Sequence, residues 1–168
     1  MYQCGDRVLY GIHGVCEILN ITLRTVDRKQ VEYYELEPLA QPGARYFIPT
    51  QNQAAVMKLK KVLDKQTLIE LLKSDAVRHD VWIEDESKRK LRYRELINSG
   101  DRAALLNMVH ALHQHKKAQL EAGKKFHLCD ENFMRDAERL LSAEFSLALG
   151  IQPDEVGDYI LRTFENVK

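Results

Sequence analysis

The apolar period of the chain changes once, near residue 60, and that change constrains the fold more than any other feature. Up to about residue 58, apolar and β-branched residues come in short runs broken by turn formers. Beyond Asp64 they recur every three or four positions over long stretches. Side chains alternate across a strand and return to one face of a helix roughly every 3.6 residues, so the first pattern reads as strands and the second as helices.

In the first part, Val8-Leu9-Tyr10 runs into Gly11-Ile12-His13-Gly14, where glycine supplies the backbone freedom of a tight turn. Residues 15–23 form a strand candidate, residues 25–29 a polar hairpin connection, and Val31-Glu32-Tyr33-Tyr34-Glu35-Leu36 an aromatic strand. The turn Gln41-Pro42-Gly43 precedes Arg45-Tyr46-Phe47-Ile48, which Pro49 ends, and Val56-Met57-Lys58-Leu59 offers a fifth strand. Five short strands in so few residues predict a small closed β-barrel of SH3 or Tudor type over residues 1–60.

Over residues 61–168 the pattern predicts an all-α bundle of about five helices, making the whole chain α+β. Asp64 caps a first helix carrying Leu68, Ile69, Leu71 and Leu72, and Asp85 or Ser87 caps a second with Tyr93, Leu96 and Ile97 on one face before Ser99-Gly100. Asp101 opens a long third helix through Leu105, Met108, Val109 and Leu112 to Gly123. A fourth runs from about Asp130 to Leu149 through Phe133, Ala137, Leu140, Leu141 and Phe145, and Pro153 starts a fifth with Val156, Tyr159 and Ile160.

Charge is where composition matters. The chain has 25 Lys and Arg against 25 Asp and Glu, a net charge of zero that argues against nucleic acid, whose binding rests on cations meeting phosphates. The zero is a sum of unlike segments. Residues 88–94 read Lys-Arg-Lys-Leu-Arg-Tyr-Arg with no acid, Lys116, Lys117, Lys124 and Lys125 follow, and from Leu128 onward 9 acids face 4 bases. The middle of the chain therefore carries a local basic field. On a helical wheel Lys88 and Arg92 fall on one side of the apolar strip with Arg89 at its edge, while Lys90 and Arg94 fall on the other.

Chemistry of other kinds finds little footing. The glycines make no phosphate-cradling motif, and no serine or cysteine sits in a nucleophile motif, so no enzyme and no cofactor are expected. His110, His113, His115, His127 and Cys129 lack metal-site spacing, since 110 and 113 share a helix face from which 115 points away. A solvated helix is the reading taken for them. Three widely spaced cysteines fit reduced thiols, and no signal segment or long apolar run is present, so a cytoplasmic protein without a membrane role is expected. Trp82, the only tryptophan, sits in Val81-Trp82-Ile83-Glu84-Asp85 just ahead of the basic run. There it reads either as a packing residue or as an apolar wedge for a base step.

Gly5-Asp6-Arg7-Val8-Leu9-Tyr10, His13-Gly14-Val15, Tyr33-Tyr34, Ile48-Pro49, Lys88-Arg89, Ser99-Gly100-Asp101, Lys124-Lys125 and the helix with Ala137, Leu141 and Glu144 occur in an order that resembles the CarD/CdnL family of bacterial transcription regulators. The N-terminal module of that family is similar to the RNA polymerase interaction domain of the transcription-repair coupling factor. The resemblance implies that residues 1–60 dock on the RNA polymerase β subunit, by pairing sheet edges. It also implies that residues 61–168 touch promoter DNA at the upstream edge of the bubble without base-specific readout, tuning open-complex lifetime; a monomer is the expected state, which the sequence does not decide. The family's basic polymerase contact falls on Arg24, and a second contact falls on Phe47, with Tyr46 beside it. On the DNA side it implies Trp82, Lys88, Arg89, Arg92, Lys116, Lys117, Lys124 and Lys125.

Two departures stand out. Counted without gaps from Ser99-Gly100, the family's wedge tryptophan falls on Glu86, four residues after Trp82. Either a shift in the helix start of about one turn, roughly 5.4 Å, brings Trp82 to that place, or the chain lacks the wedge; the first is the reading taken. An insertion of about five residues falls around residues 113–119, between the third and fourth helices, and adds Lys116 and Lys117. Glu86, the acidic end and the zero net charge support an alternative, an adaptor that binds polymerase or another partner without a DNA role.

Overall fold

The computed structural model describes residues 1–77 and 82–165, so that Val81, the apolar neighbour ahead of Trp82, lies outside the described residues. The chain divides into two compact units, Met1–Val62 and Leu63–Lys168.

The first unit is one antiparallel sheet of five strands, β1 (Arg7–Tyr10), β2 (Val15–Val26), β3 (Lys29–Pro38), β4 (Tyr46–Pro49) and β5 (Leu59–Lys61), in the order β4-β3-β2-β1-β5. A 3-10 turn, Gly11–His13, joins β1 to β2, and Gly14 ends it at φ 71°, a conformation that glycine alone adopts cheaply. Val8, Cys16, Ile18, Tyr34, Leu36, Ile48 and Leu59 form the core. Burial pushes the Cys16 thiol up to about 11, which makes it an inert packing group.

The sheet is open, where the sequence suggests a closed barrel: its end strands β4 and β5 are not paired with each other. They are only four and three residues long, and between them the chain makes a helical turn, α1 (Gln53–Val56). Asn52 caps that turn, its Oδ1 accepting from Ala55 N at 3.1 Å. Ala55 and Val56 pack on the core, so a helical turn supplies apolar cover that closure would otherwise provide. The same cap explains why the fifth strand starts at Leu59 rather than Val56.

Among its described residues the second unit has α2 (Lys65–Lys73), α3 (Glu86–Ser99), α4 (Arg102–Glu121), α5 (Leu128–Leu149) and α6 (Val156–Glu165) with two 3-10 turns, Asp75–Val77 and Pro153–Glu155. Asp64, Asp85 and Asp101 cap α2, α3 and α4 by accepting from Thr67 N (2.9 Å), Lys88 N (2.8 Å) and Ala104 N (3.0 Å). Each such cap contributes about 1 kcal/mol. The two Thr67 bonds hold the Asp64 carboxyl below its ordinary value. Gly100, at φ 64°, ends α3 in the left-handed conformation and lets Asp101 start α4 at once. The core joins Leu68 and Leu72, Tyr93 and Ile97, Leu105, Met108 and Leu112, and Ala137, Leu141 and Phe145.

Among the described residues two buried ion pairs cross this core from α5. Asp130 meets Arg89 of α3 at 2.9 Å, and Glu144 meets Arg102 of α4 at 2.7 Å. Glu144 also accepts from Leu63 N at 3.0 Å, which fixes where the helical unit begins. Residues 113–119, expected as an insertion between two helices, form no loop; they continue α4.

Candidate functional site

The first unit places two of its three candidate contacts together. Register sets Arg24 opposite Val31, Thr22 opposite Tyr33 and Glu35 opposite Phe47, so Arg24 and Phe47 share the sheet face turned away from the core. The Arg24 guanidinium carbon lies 3.5 Å from the Phe47 ring centroid. A cation over an exposed ring gains about 0.5–1 kcal/mol, enough to hold an otherwise floppy side chain. Beside them Arg45 is taken up by Glu35 (3.3 Å) and Glu37 (2.6 Å). The Gly43 N–H, at 2.6 Å, and Arg45 together hold the Glu37 carboxyl below its ordinary range. Arg24 is exposed beside this pair.

Tyr46, opposite Leu36, faces the other way. It packs against Tyr10 and His13, with centroids 6.0 and 4.2 Å away, and belongs to the core side rather than to the Arg24 patch. Burial lowers the pKa of His13 there. Strand β4 is an edge. Thr50 N donates to Glu32 O at 2.9 Å, so Thr50, Ile48 and Tyr46 turn their backbone groups toward β3. Phe47 therefore turns its N–H and C=O to the open edge, where Pro49 has no N–H to donate.

In the second unit the side chains gather around Trp82. The residue is not on a helix: Asp85 caps α3 and Glu86 is its first residue, so the segment before α3 carries Trp82, and no extra helical turn does. Its ring stacks on His115 of α4, with centroids 3.5 Å apart and planes 16° off parallel, and Nε1 donates to Glu84 Oε1 at 3.1 Å. The Arg89 guanidinium carbon stands 4.4 Å from the indole centroid. Burial first, then the nearby Arg89 charge, lowers the pKa of His115.

Arg89, which the resemblance assigns to the DNA contact, turns inward. It is only 4 % exposed; Nε and Nη2 donate to Asp130 at 3.0 and 2.9 Å, and Nη1 donates to the carbonyls of Ile83 and Glu84 at 2.8 and 3.2 Å. Its charge is taken up inside the unit, where it ties the segment bearing Trp82 to α3 and α5. Glu86, at the gap-free wedge position, pairs with Lys90, which lowers its pKa.

The remaining cations are exposed or half-buried. Lys88 has no ion-pair partner among the described residues, and Arg92 meets Glu95 at 3.3 Å on the exposed face of α3. Arg92, Trp82, Ala104 and Asn107 line one cavity of about 450 Å³. Lys116 meets Glu131 at 3.1 Å beside the ring of Phe126, Lys117 reaches Glu121 at 4.0 Å, and Lys124 and Lys125 lie exposed between α4 and α5. His110 and His113 line a different groove, where His113 Nε2 lies 2.6 Å from Glu138. Among the described residues no group of three His, Cys, Asp or Glu is placed to hold a metal, and no helix is long and apolar enough to cross a membrane.

Residues 2–62 match the family model of the CarD-like/TRCF RID domain. The chain carries a CarD-like/TRCF RID domain. The match ends where the first unit ends, and no curated protein matches the chain. In the RID domain the structure brings Arg24 and Phe47 into contact and sends Tyr46 to the opposite face. Outside the RID domain it brings Trp82 and Arg92 to one cavity and turns Arg89 inward. Sequence reasoning missed two residues of that second cluster, His115 and Asp130. Their partners lie 33 and 41 positions away on other elements, so no periodicity within one helix marks either of them.

Proposed function

We propose that this chain is a non-enzymatic transcription regulator that docks on the β subunit of RNA polymerase through its RID domain and contacts promoter DNA through its helical unit, tuning open-complex stability. The match of residues 2–62 to the RID domain carries this reading. The open edge of β4 at Phe47 suits strand addition by a partner, and Arg24 supplies a cation for a carboxylate beside that edge. The DNA part rests on the resemblance and on Lys88, Arg92 and Trp82, which need no particular base. A cation meets any phosphate, and an indole meets any step.

The test is binding of the full chain to the isolated β lobe, measured by fluorescence anisotropy. Arg24→Glu places a carboxylate where the cation stood and is expected to weaken binding by at least about a hundredfold, with the circular dichroism spectrum unchanged. Phe47→Ala releases the guanidinium and is expected to weaken binding about threefold to tenfold. Wild-type affinity in Arg24→Glu overturns the docking model. The inward turn of Arg89 favours the adaptor as a second reading, since it removes one cation from the basic run. Promoter kinetics that persist in Lys88→Ala/Arg92→Ala select that reading.

A further inference from the structure

Trp82 is held on both faces. With the His115 ring 3.5 Å above the indole centroid and nearly parallel to it, that face has no room for a second planar group. The Arg89 guanidinium, 4.4 Å from the same centroid, therefore covers the opposite face. Neither neighbour is loose. Arg89 is pinned by Asp130 and by the carbonyls of Ile83 and Glu84, and the Gln119 amide lies 3.2 Å from His115 Nε2, donating to it. What the indole offers outward is an edge, at the cavity it shares with Arg92.

We propose that His115 is a positioning residue: it clamps Trp82 against Arg89, so that the indole meets promoter DNA as a rigid edge rather than as a mobile stacking ring. This rests on the promoter contact proposed above and adds what holds the contacting group in place. A tryptophan already fixed loses little rotamer freedom on binding, so the clamp contributes to the contact by preorganisation. The run of α4 through residues 113–119 brings an imidazole to this position.

Trp82 is the only tryptophan of the chain, so its fluorescence reports the clamp directly in the full-length protein. Acrylamide quenching and anisotropy decay are compared for wild type, His115→Ala and His115→Phe. The alanine variant is expected to raise the quenching constant about two- to threefold and to add a fast rotational component, and the phenylalanine variant, which restores a stacked ring, to behave as wild type. In a promoter assay the alanine variant is expected to lose the protein's effect on open-complex lifetime by about three- to tenfold, again with rescue by phenylalanine. His115→Gln carries the same test should the alanine variant melt below the assay temperature. Unchanged fluorescence in the non-aromatic variants overturns the clamp. A lifetime that responds to Trp82→Ala but not to loss of the His115 ring overturns the positioning role alone. A lifetime indifferent to Trp82→Ala overturns the promoter reading, and the positioning role with it.

Discussion

Arg89 shows how a single residue changes meaning between sequence and structure. In the string Lys-Arg-Lys-Leu-Arg-Tyr-Arg it is one of five like charges, yet it sits on the same helical stripe as Tyr93 and Leu96 and reaches Asp130 under the surface. A buried pair adds little net stability over apolar packing, but removing one partner strands the other charge, which costs about 3–5 kcal/mol. Arg89→Ala is therefore expected to lower the unfolding free energy by about that amount, while Lys88→Ala at the exposed neighbouring position changes it by less than about 0.5 kcal/mol. Urea denaturation followed by helical circular dichroism distinguishes the two. Equal, small effects refute the assignment of Arg89 as a structural tie. A loss of promoter effect in Arg89 variants then reports a loosened Trp82 segment, since Arg89 offers no charge at the surface.

At the scale of elements, much is legible in the sequence because it is local. Asp64, Asp85 and Asp101 each stand one residue before a helical period begins, and each caps its helix. Gly100 stops α3 where Ser99-Gly100 suggests it. What escapes a reading of the sequence is set by groups distant along the chain: the open sheet, the start of β5 at Leu59, and the stacking of Trp82 on His115. The β2–β3 turn is a case between. The polar stretch 25–29 reads as a connection, but Thr25 and Val26 stay paired with Gln30 and Lys29, leaving Asp27-Arg28 as a two-residue loop. Both loop residues have positive φ, 50° and 63°, the pattern of a type I′ turn. An arginine held there is strained by about 1–2 kcal/mol, of which glycine's greater freedom in the unfolded chain offsets part. Arg28→Gly is expected to stabilise the first unit by about 0.5–1 kcal/mol and to slow amide hydrogen exchange along β2 and β3 accordingly. Faster exchange in the variant contradicts the strain.

At the scale of the whole molecule, the zero net charge bears on the proposed promoter contact. Nine acids against four bases from Leu128 onward oppose the basic run, and Arg89, Arg92, Lys116 and Lys117 all have carboxylate partners within the unit. Exposed pairs such as Arg92–Glu95 contribute little and exchange readily for a phosphate, whereas the Arg89–Asp130 pair does not. Lys88 and Arg92, four residues apart on α3, are thus the cations best placed to release counterions. The protein alone is expected to bind promoter DNA only in the non-specific range, roughly 10⁻⁴ to 10⁻⁶ M at physiological salt, and to depend on polymerase for a high local concentration. Each phosphate neutralised by a cation of the protein steepens the dependence of log affinity on log salt by about 0.9. Lys88→Ala/Arg92→Ala is accordingly expected to reduce the slope of the isolated protein by about 1.8, measured by anisotropy on a promoter duplex between low and physiological salt. Arg24→Glu, in the RID domain, is expected to leave that slope within about 0.5 of wild type while removing the chain's effect on polymerase. An unchanged slope in the double variant moves the phosphate-binding cations away from α3, and a change of about 1.8 in Arg24→Glu assigns DNA binding to the RID domain instead.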